Sequence, residues 1–196
     1  ITIEHLLDHK SGIHNFNGED GGDFMSDLFS DPKRGTRAWA ANELLSYARK
    51  PEHKPTGRPG AATSYSSTGY IVLEMILQHL TKAPLSESYR HYVFAPLRMM
   101  SAGVEGQGLK ASEIVDSYAR PDGESGPSPF AGRQAVRADG LVDLSRGLAY
   151  YNAWARGAGA VGCNVKDLAK FMTAVESGAL IVLRDQAAEF AKAGAA

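Results

Sequence analysis

Residues 59–77 read PGAATSYSSTGYIVLEMIL, a polar, turn-forming segment that passes directly into an apolar one. A Pro-Gly turn followed by serines predicts the start of a helix, which Ser66 or Ser67 can cap and which extends over residues 67–80. Apolar side chains occupy nearly all sides of this helix, as is typical of a helix in the centre of a domain. They are Tyr70, Ile71, Val72, Leu73, Met75, Ile76, Leu77 and Leu80. We therefore expect the fold to be organised around this helix.

The rest of the chain predicts further helices, joined by loops rich in glycine, proline and polar residues. We expect helices at residues 1–9, 39–50, 85–94 and 165–177, and a weaker one at residues 185–192. Residues 113–119 (EIVDSYA) alternate as in a short strand. Residues 10–36 are expected to form a surface loop with at most one helical turn, near residues 24–29. Long helices outnumber strands, so the predicted fold class is mainly α, in a single domain over residues 1–196.

The helix at residues 165–177 has a clear amphipathic pattern. Asn164 is placed to cap this helix and Gly178 is placed to end it. The apolar stripe that we expect to be buried consists of Val165, Leu168, Met172 and Val175. The side chains that we expect to face water are Lys166, Asp167, Lys170 and Glu176.

Composition and charge limit the classes of partner. Hydrophobic residues make up 43% of the chain and charged residues 22%, as in an ordinary globular protein. The net charge of -1 gives no electrostatic reason to expect nucleic acid or an anionic membrane as a partner. The apolar runs are too short to span a bilayer. The single cysteine, Cys163, excludes an internal disulfide and a multi-cysteine metal cluster.

Four segments, in order along the chain, resemble motifs of one protein family. They are ITIEHLLDHKSGI (1–13), PGAATSYSSTGYIVLEMIL (59–77), FAPLRMMSAG (94–103) and GAGAVGCNVKDLAKFMTAVESGAL (157–180). The first resembles the pattern Ile-Thr-Ile-x-x-Leu-Leu-x-His-x-Ser-Gly, and the second resembles a Tyr-x-Asn motif followed by a buried helix. This ordered set resembles the penicillin-binding protein and class C β-lactamase superfamily of serine hydrolases, a group that includes D,D-carboxypeptidases and esterases.

The resemblance implies acyl transfer, in which a serine attacks an amide, lactam or ester carbonyl and forms an acyl-enzyme. It implies a catalytic, proton-relay role for Tyr65, and because the ordinary pKa of tyrosine is about 10, this role needs nearby cations. Ser67 stands at the substrate-binding position where the family usually has asparagine. Because a hydroxyl is shorter than an amide and bonds differently, Ser67 favours small-ester or peptide hydrolysis over high-grade β-lactamase activity.

Two motifs of the family do not occur in this sequence: Lys-Thr-Gly or His-x-Gly is absent, and the only Ser-x-x-Lys match, residues 30–33, is misplaced and followed by Gly35. We therefore interpret the chain as the helical region of the β-lactamase/transpeptidase-like fold, an incomplete domain without most of its five-stranded sheet. We predict that this chain alone is inactive, and that a missing segment or second chain supplies the sheet. The alternative is a non-catalytic helical module that binds a cell-wall peptide or a protein partner. The resemblance also favours a periplasmic or secreted location.

Two further patterns resemble a nucleotide-binding motif and a metal-binding motif, and their surroundings favour neither. Gly157, Gly159 and Gly162 spell GxGxxG, the dinucleotide fingerprint, but no βαβ unit surrounds them, so a tight glycine turn is the better interpretation. His5 and His9 are four residues apart on a predicted helix, as metal ligands can be, but no third ligand is identifiable. We expect no cofactor and no metal.

Overall fold

The computed structural model describes residues 1–18, 23–30, 34, 37–110, 113–114, 118–119, 138, 140–143 and 154–180. Its helices are α1 (Ile3–Leu7), α2 (Asp23–Ser30), α3 (Ala41–Ala48), α4 (Ser67–Thr81), α5 (Leu85–Tyr89) and α6 (Val165–Glu176). Helix α5 runs on into a π-helical turn at Arg90–Phe94, and a 3-10 turn spans Arg156–Ala158. The helix predicted at residues 185–192 lies outside the described residues. None of the described helices is long and apolar enough to cross a membrane.

Two short antiparallel ribbons accompany the helices. Strand β1 (Gly103–Val104) pairs with β4 (Val161–Gly162), and β2 (Tyr118–Ala119) pairs with β3 (Val142–Asp143). The strand predicted at residues 113–119 is thus only partly correct. Glu113 lies in a helical turn, where its N–H donates to the carbonyl of Lys110 at 3.0 Å, and residues 115–117 are not described. The described part of the chain is mainly helical, as the sequence predicts.

Helix α4 begins at the predicted residue and contacts α1, α3, α5 and the 3-10 turn. Its buried residues lie in its first half, where Ile71 is fully buried. Towards its end the apolar side chains are half-buried, and Leu80 is 69% exposed. The prediction of a central buried helix therefore holds for the half that begins at Ser67.

The main core cluster contains side chains from a segment that the sequence predicts to be loop. Phe16, Phe24 and Leu28 are almost fully buried, and the ring of Phe24 packs edge-on against Phe16 and Trp39. The cluster is completed by Leu44, Leu45, Tyr47, Ala48 and Ile71. The helical turn predicted near residues 24–29 is present as the longer helix α2. The predicted surface location is wrong for this helix, because Phe24 and Leu28 lie four residues apart on one helix face and are buried. The flanking glycines and aspartates obscure this pattern.

A buried ion pair fastens α4 to the 3-10 turn. The carboxylate of Glu74, whose side chain is fully buried, accepts from Arg156 Nε at 3.1 Å and Nη2 at 2.5 Å, and from the Gly157 N–H at 2.9 Å. Arg156 Nη1 also donates to the carbonyl of Trp39 at 2.8 Å. A Cβ at Gly157 would lie 2.8 Å from the Tyr70 carbonyl oxygen, so only glycine fits there. This close approach supports the tight-turn interpretation of the GxGxxG pattern.

Helix α6 begins at its predicted residue and ends one residue early, at Glu176, and Lys166, Lys170 and Glu176 face water as predicted. Asn164 Oδ1 caps the helix by accepting the N–H of Asp167 at 2.9 Å, and Gly178 follows with a φ of +72°. The stripe predicted to be buried is exposed: Val165 is 81% exposed, and Leu168, Met172 and Val175 are each nearly half exposed. The buried residues of α6 are Ala174 and Asp167. Of these two, Asp167 is the one that the sequence pattern predicts to face water.

The partners of Asp167 explain this orientation. Its carboxylate accepts from both the N–H and the hydroxyl of Ser101 at 2.7 Å, and from Lys170 Nζ at 2.6 Å. The Ser101 hydroxyl in turn accepts the N–H of Asn164 at 3.0 Å. Lys170 first, and then the two Ser101 donors, hold the pKa of Asp167 at about 2, below its usual 3.8. Paired in this way, a carboxylate can be buried at a helix start.

The depressed pKa of Asp167 predicts an acid-sensitive contribution to stability. A carboxylate with a lowered folded-state pKa stabilises the fold above its unfolded-state pKa, near 3.8, and loses that contribution as the pH falls towards 2. We expect the free energy of unfolding, measured by urea denaturation, to fall less steeply between about pH 4 and pH 2 in Asp167→Asn than in the wild type. Ser101→Ala, which removes one donor, should give an intermediate slope. Equal slopes for wild type and Asp167→Asn would contradict this assignment.

Candidate active site

Tyr65 lies two residues before the start of α4, outside any helix or strand, and Ser66 between them has an extended backbone. Its side chain is 58% exposed, whereas the next three residues, Ser66, Ser67 and Thr68, are almost fully buried. The phenol is therefore presented to solvent from a rigid base.

Helix α4 is capped from a distance. Ser66 occupies the N-cap position, but its hydroxyl is buried and makes no hydrogen bond in the described structure. The N–H of Ser67 instead donates to Asn15 Oδ1 at 2.9 Å. The predicted capping by Ser66 or Ser67 is thus wrong, since the capping oxygen comes from a loop 52 residues earlier.

Thr68 forms the second connection between α4 and this loop. Its hydroxyl donates to the carbonyl of His14 at 2.7 Å and accepts the N–H of Phe16 at 2.9 Å. Thr68 is 1% exposed, so both backbone groups depend on it for a partner. Together, Asn15 and Thr68 fix the start of α4 against residues 14–16.

The structure brings the two predicted site residues together. The hydroxyl of Ser67 lies 3.5 Å from the hydroxyl of Tyr65, a long contact at the limit of hydrogen bonding. Ser67 is 4% exposed and Tyr65 is 58% exposed, so the phenol is the more accessible of the two side chains.

His9, which the sequence analysis does not assign to the site, lies beside Tyr65. Its ring centroid lies 4.5 Å from that of Tyr65 and 5.1 Å from that of Tyr70. Its Nδ1 accepts the N–H of Ser66 at 3.2 Å, and its carbonyl accepts the N–H of Ser64 at 2.8 Å. The Leu-Leu-x-His-x-Ser-Gly pattern contained the signal, but only as part of a family resemblance.

The loop at residues 51–63 is hydrogen-bonded to residues 10–12, which directly follow His9. The carbonyl of Gly12 accepts the N–H of Thr56 at 3.0 Å, and the carbonyl of Lys10 accepts the N–H of Gly60 at 2.8 Å. Gly12 has a φ of +72°, and a Cβ there would lie 2.2 Å from the carbonyl oxygen of Gly57. Glycine is therefore required where this loop meets the segment that contains His9.

The histidines considered as metal ligands have protein partners instead. Nδ1 of His5 accepts the N–H of Thr2 at 3.3 Å within the capping of α1, and Nδ1 of His9 accepts from Ser66. Elsewhere in the described residues, ligand atoms of Asp23, Glu52 and His53 lie within 4.8 Å of one another.

In this group, the side chains of Asp23 and His53 already contact other residues of the chain. A hydrogen bond from the Lys50 ammonium lowers the pKa of Asp23, and His53 Nδ1 lies 2.6 Å from the carbonyl of Tyr47. His14 stacks on His53 with ring centroids 4.1 Å apart, and burial, followed by the charge of His53, lowers the pKa of His14. We interpret this cluster as an ion-paired surface.

Comparison with known proteins places this geometry in a family. The family model described as Beta-lactamase matches residues 1–195. A D-amino acid amidase from Ochrobactrum anthropi SV3, complexed with L-phenylalanine amide, matches with 26% identity and a TM-score of 0.68, over 91% of this chain and 44% of that chain.

Two further solved structures share the fold. A D-stereospecific amidohydrolase from Streptomyces sp. matches with 22% identity and a TM-score of 0.68, over 92% of this chain and 48% of that one. A penicillin binding protein from Bacillus halodurans matches with 20% identity and a TM-score of 0.64, over 92% of this chain and 49% of that one. The present chain thus spans about half the length of the solved structures that it matches.

From the two hydrogen bonds of the Thr68 hydroxyl we expect a large difference in stability between Thr68→Val and Thr68→Ser. Thr68→Val keeps the shape but leaves the His14 carbonyl and the Phe16 N–H without a partner. Each unsatisfied buried group costs about 1–3 kcal/mol, so we expect Thr68→Val to lower the free energy of unfolding by about 2 kcal/mol or more. Thr68→Ser keeps the hydroxyl and serves as the control, with a smaller loss. Urea unfolding measures both, and equal losses would show that the hydroxyl bonds are unimportant.

Proposed function

We propose that this chain, which belongs to the β-lactamase family, contributes a proton-relay tyrosine and part of the substrate cleft to a serine hydrolase. The hydrolase would form an acyl-enzyme from an amide, lactam or ester. The observation that carries the proposal is the presentation of Tyr65: an exposed phenol stands on a buried, hydrogen-bonded helix start.

In the proposed reaction, Tyr65 moves a proton during acyl transfer. The serine nucleophile gives its proton to the phenolate form of Tyr65, which the cations of the missing motifs would stabilise, as it attacks the carbonyl carbon. The phenol formed in this way then gives that proton to the leaving amine or alkoxide, and Tyr65 is again a phenolate. Such a relay requires a phenol that keeps its position through two proton transfers. The bonds from residues 9–16 to the start of α4 support this requirement.

Ser67 is the proposed substrate-binding residue. Its hydroxyl lies beside the phenol oxygen, where it can bond a polar group of the acyl part of the substrate. Being short, it favours a small ester or a peptide-like amide over a β-lactam. The names of two similar proteins, D-amino acid amidase and D-stereospecific amidohydrolase, agree with an amide substrate for this chain.

The nucleophile and the sheet are proposed to come from another chain segment or a second chain. The apolar stripe of α6 supports this proposal, because Val165, Leu168, Met172 and Val175 are exposed along one helix face. A sheet packed on this face would bury the stripe, with the polar partners of Asp167 on the other side of the helix.

The inactivity proposed for this chain alone is tested by covalent labelling. We expect no serine of the 196-residue chain to react with a fluorescent penicillin or a fluorophosphonate probe, since the chain lacks the family's Ser-x-x-Lys motif in its usual place. The native protein that carries this chain is expected to react. Labelling of the chain by itself would refute this proposal, and an unreactive native protein would favour the non-catalytic binding module.

The proton-relay role predicts a specific loss in the native protein. Tyr65→Phe removes the hydroxyl and keeps the ring, so turnover of an ester or amide substrate should fall by roughly a hundredfold or more. Tyr47→Phe is the matched control, because the Tyr47 hydroxyl donates to Asp27 Oδ2, at 2.7 Å, beside the main core cluster. Steady-state kinetics measures both variants. An unchanged rate in Tyr65→Phe would exclude the relay.

A further inference from the structure

We infer that His9 is the positioning residue for Tyr65, holding the backbone on both sides of the tyrosine and packing against its ring. This inference rests on the proposed function of Tyr65. It gives His9 a task beyond packing, although His9 makes no direct contribution to the proton transfer.

The backbone contacts of His9 bracket Tyr65. The carbonyl of His9 accepts the N–H of Ser64, the residue before the tyrosine, at 2.8 Å. Its Nδ1 accepts the N–H of Ser66, the residue after it, at 3.2 Å. One residue therefore holds the peptide group directly after Tyr65, through the Ser66 N–H, and the peptide group that precedes Ser64, through the Ser64 N–H.

The imidazole ring also restricts the phenol directly. The two rings are tilted by 35° with centroids 4.5 Å apart, a distance typical of packed aromatic pairs. Because Nδ1 accepts a hydrogen bond, the proton of the neutral ring is on Nε2. The imidazole also packs against Tyr70, whose hydroxyl donates to the Leu7 carbonyl, so the imidazole is itself held.

The backbone of His9 is unusual in a way that fits this task. Its φ of +56° lies in the left-handed region, which costs energy for residues other than glycine. Asparagine and histidine tolerate this region better than most residues do. The conformation turns the chain after α1, so that the carbonyl and the ring of one residue both reach residues 64–66.

Three substitutions separate the two contributions. His9→Asn keeps an acceptor and tolerates the backbone conformation, but it loses the ring. His9→Phe keeps the ring and loses the acceptor, and His9→Ala loses both. His5→Ala is the matched control, since the His5 ring also accepts a backbone N–H in α1 but bonds only Thr2.

The kinetic test measures kcat and KM of the native protein and its variants with an ester or amide substrate. Thermal unfolding of each variant gives the unfolded fraction. We expect His9→Ala to lower kcat by roughly tenfold to a hundredfold with little change in KM, because a misplacement of about 1 Å costs a similar factor. His9→Asn should recover most of the loss, and His5→Ala should leave kcat unchanged. An unchanged kcat in folded His9→Ala, or a loss that only follows the unfolded fraction, would overturn the inference. If His9→Ala does not fold, His9→Asn and His9→Phe decide, and wild-type kcat in both would overturn it.

A second readout does not depend on activity. In the 196-residue chain labelled with 13C-tyrosine, the Tyr65 ring resonances are assigned by their loss in Tyr65→Phe. We expect His9→Asn to lower the order parameter of the Tyr65 ring, measured on these resonances, since it removes a ring whose centroid lies 4.5 Å away, and His5→Ala to leave that order parameter unchanged. If Tyr65→Phe retains full turnover, the proposed function fails, and these resonances still decide whether His9 holds Tyr65. If Tyr65→Phe is slow and the His9 variants are not, only the positioning role fails.

Discussion

The ion pair between Glu74 and Arg156 is the interaction on which the arrangement of the chain depends. Moving two charges out of water costs several kcal/mol for each, and this is offset only when further hydrogen bonds satisfy them. Here Arg156, Gly157 and Gln78 all donate to the one carboxylate. Because Arg156 also holds the carbonyl of Trp39, the pair joins α4, the main core cluster and the turn that leads to β4 and α6.

The ion pair between Glu74 and Arg156 also affects the candidate active site. Helix α4 is fixed in its middle by Glu74 and at its start by Asn15 and Thr68. A helix held at two places about two turns apart has little freedom to rotate or slide. The exposed Tyr65 therefore adjoins a rigid element, and its mobility is set by local contacts, chiefly those with His9.

Local patterns in the sequence predict the helices well. Where a prediction fails, the cause is a contact with a residue that is far away in the sequence. The bounds of α4 and α6 follow from apolar periodicity within each segment, and the start of α6 also from its capping residue, Asn164. The orientation of α6 does not, because Asp167 is buried by Ser101, a residue 66 positions earlier. The candidate site shows the same division. The tyrosine motif itself predicts Tyr65 and Ser67, whereas the contacts of Asn15 and His9 depend on chain folding over more than 50 residues.

The capping of α4 by Asn15 has a consequence for exchanging segments among members of the β-lactamase family. The N–H groups of Ser66 and Ser67 and the hydroxyl of Thr68 bond to residues 9–16, so the two segments form one unit in hydrogen bonding. A chimera that takes the tyrosine motif and its helix from a relative, but keeps the native loop, would pair a foreign helix start with the wrong cap. Grafts at this site should therefore carry residues 9–16 and 59–81 together, as two non-contiguous parts of a single exchangeable block.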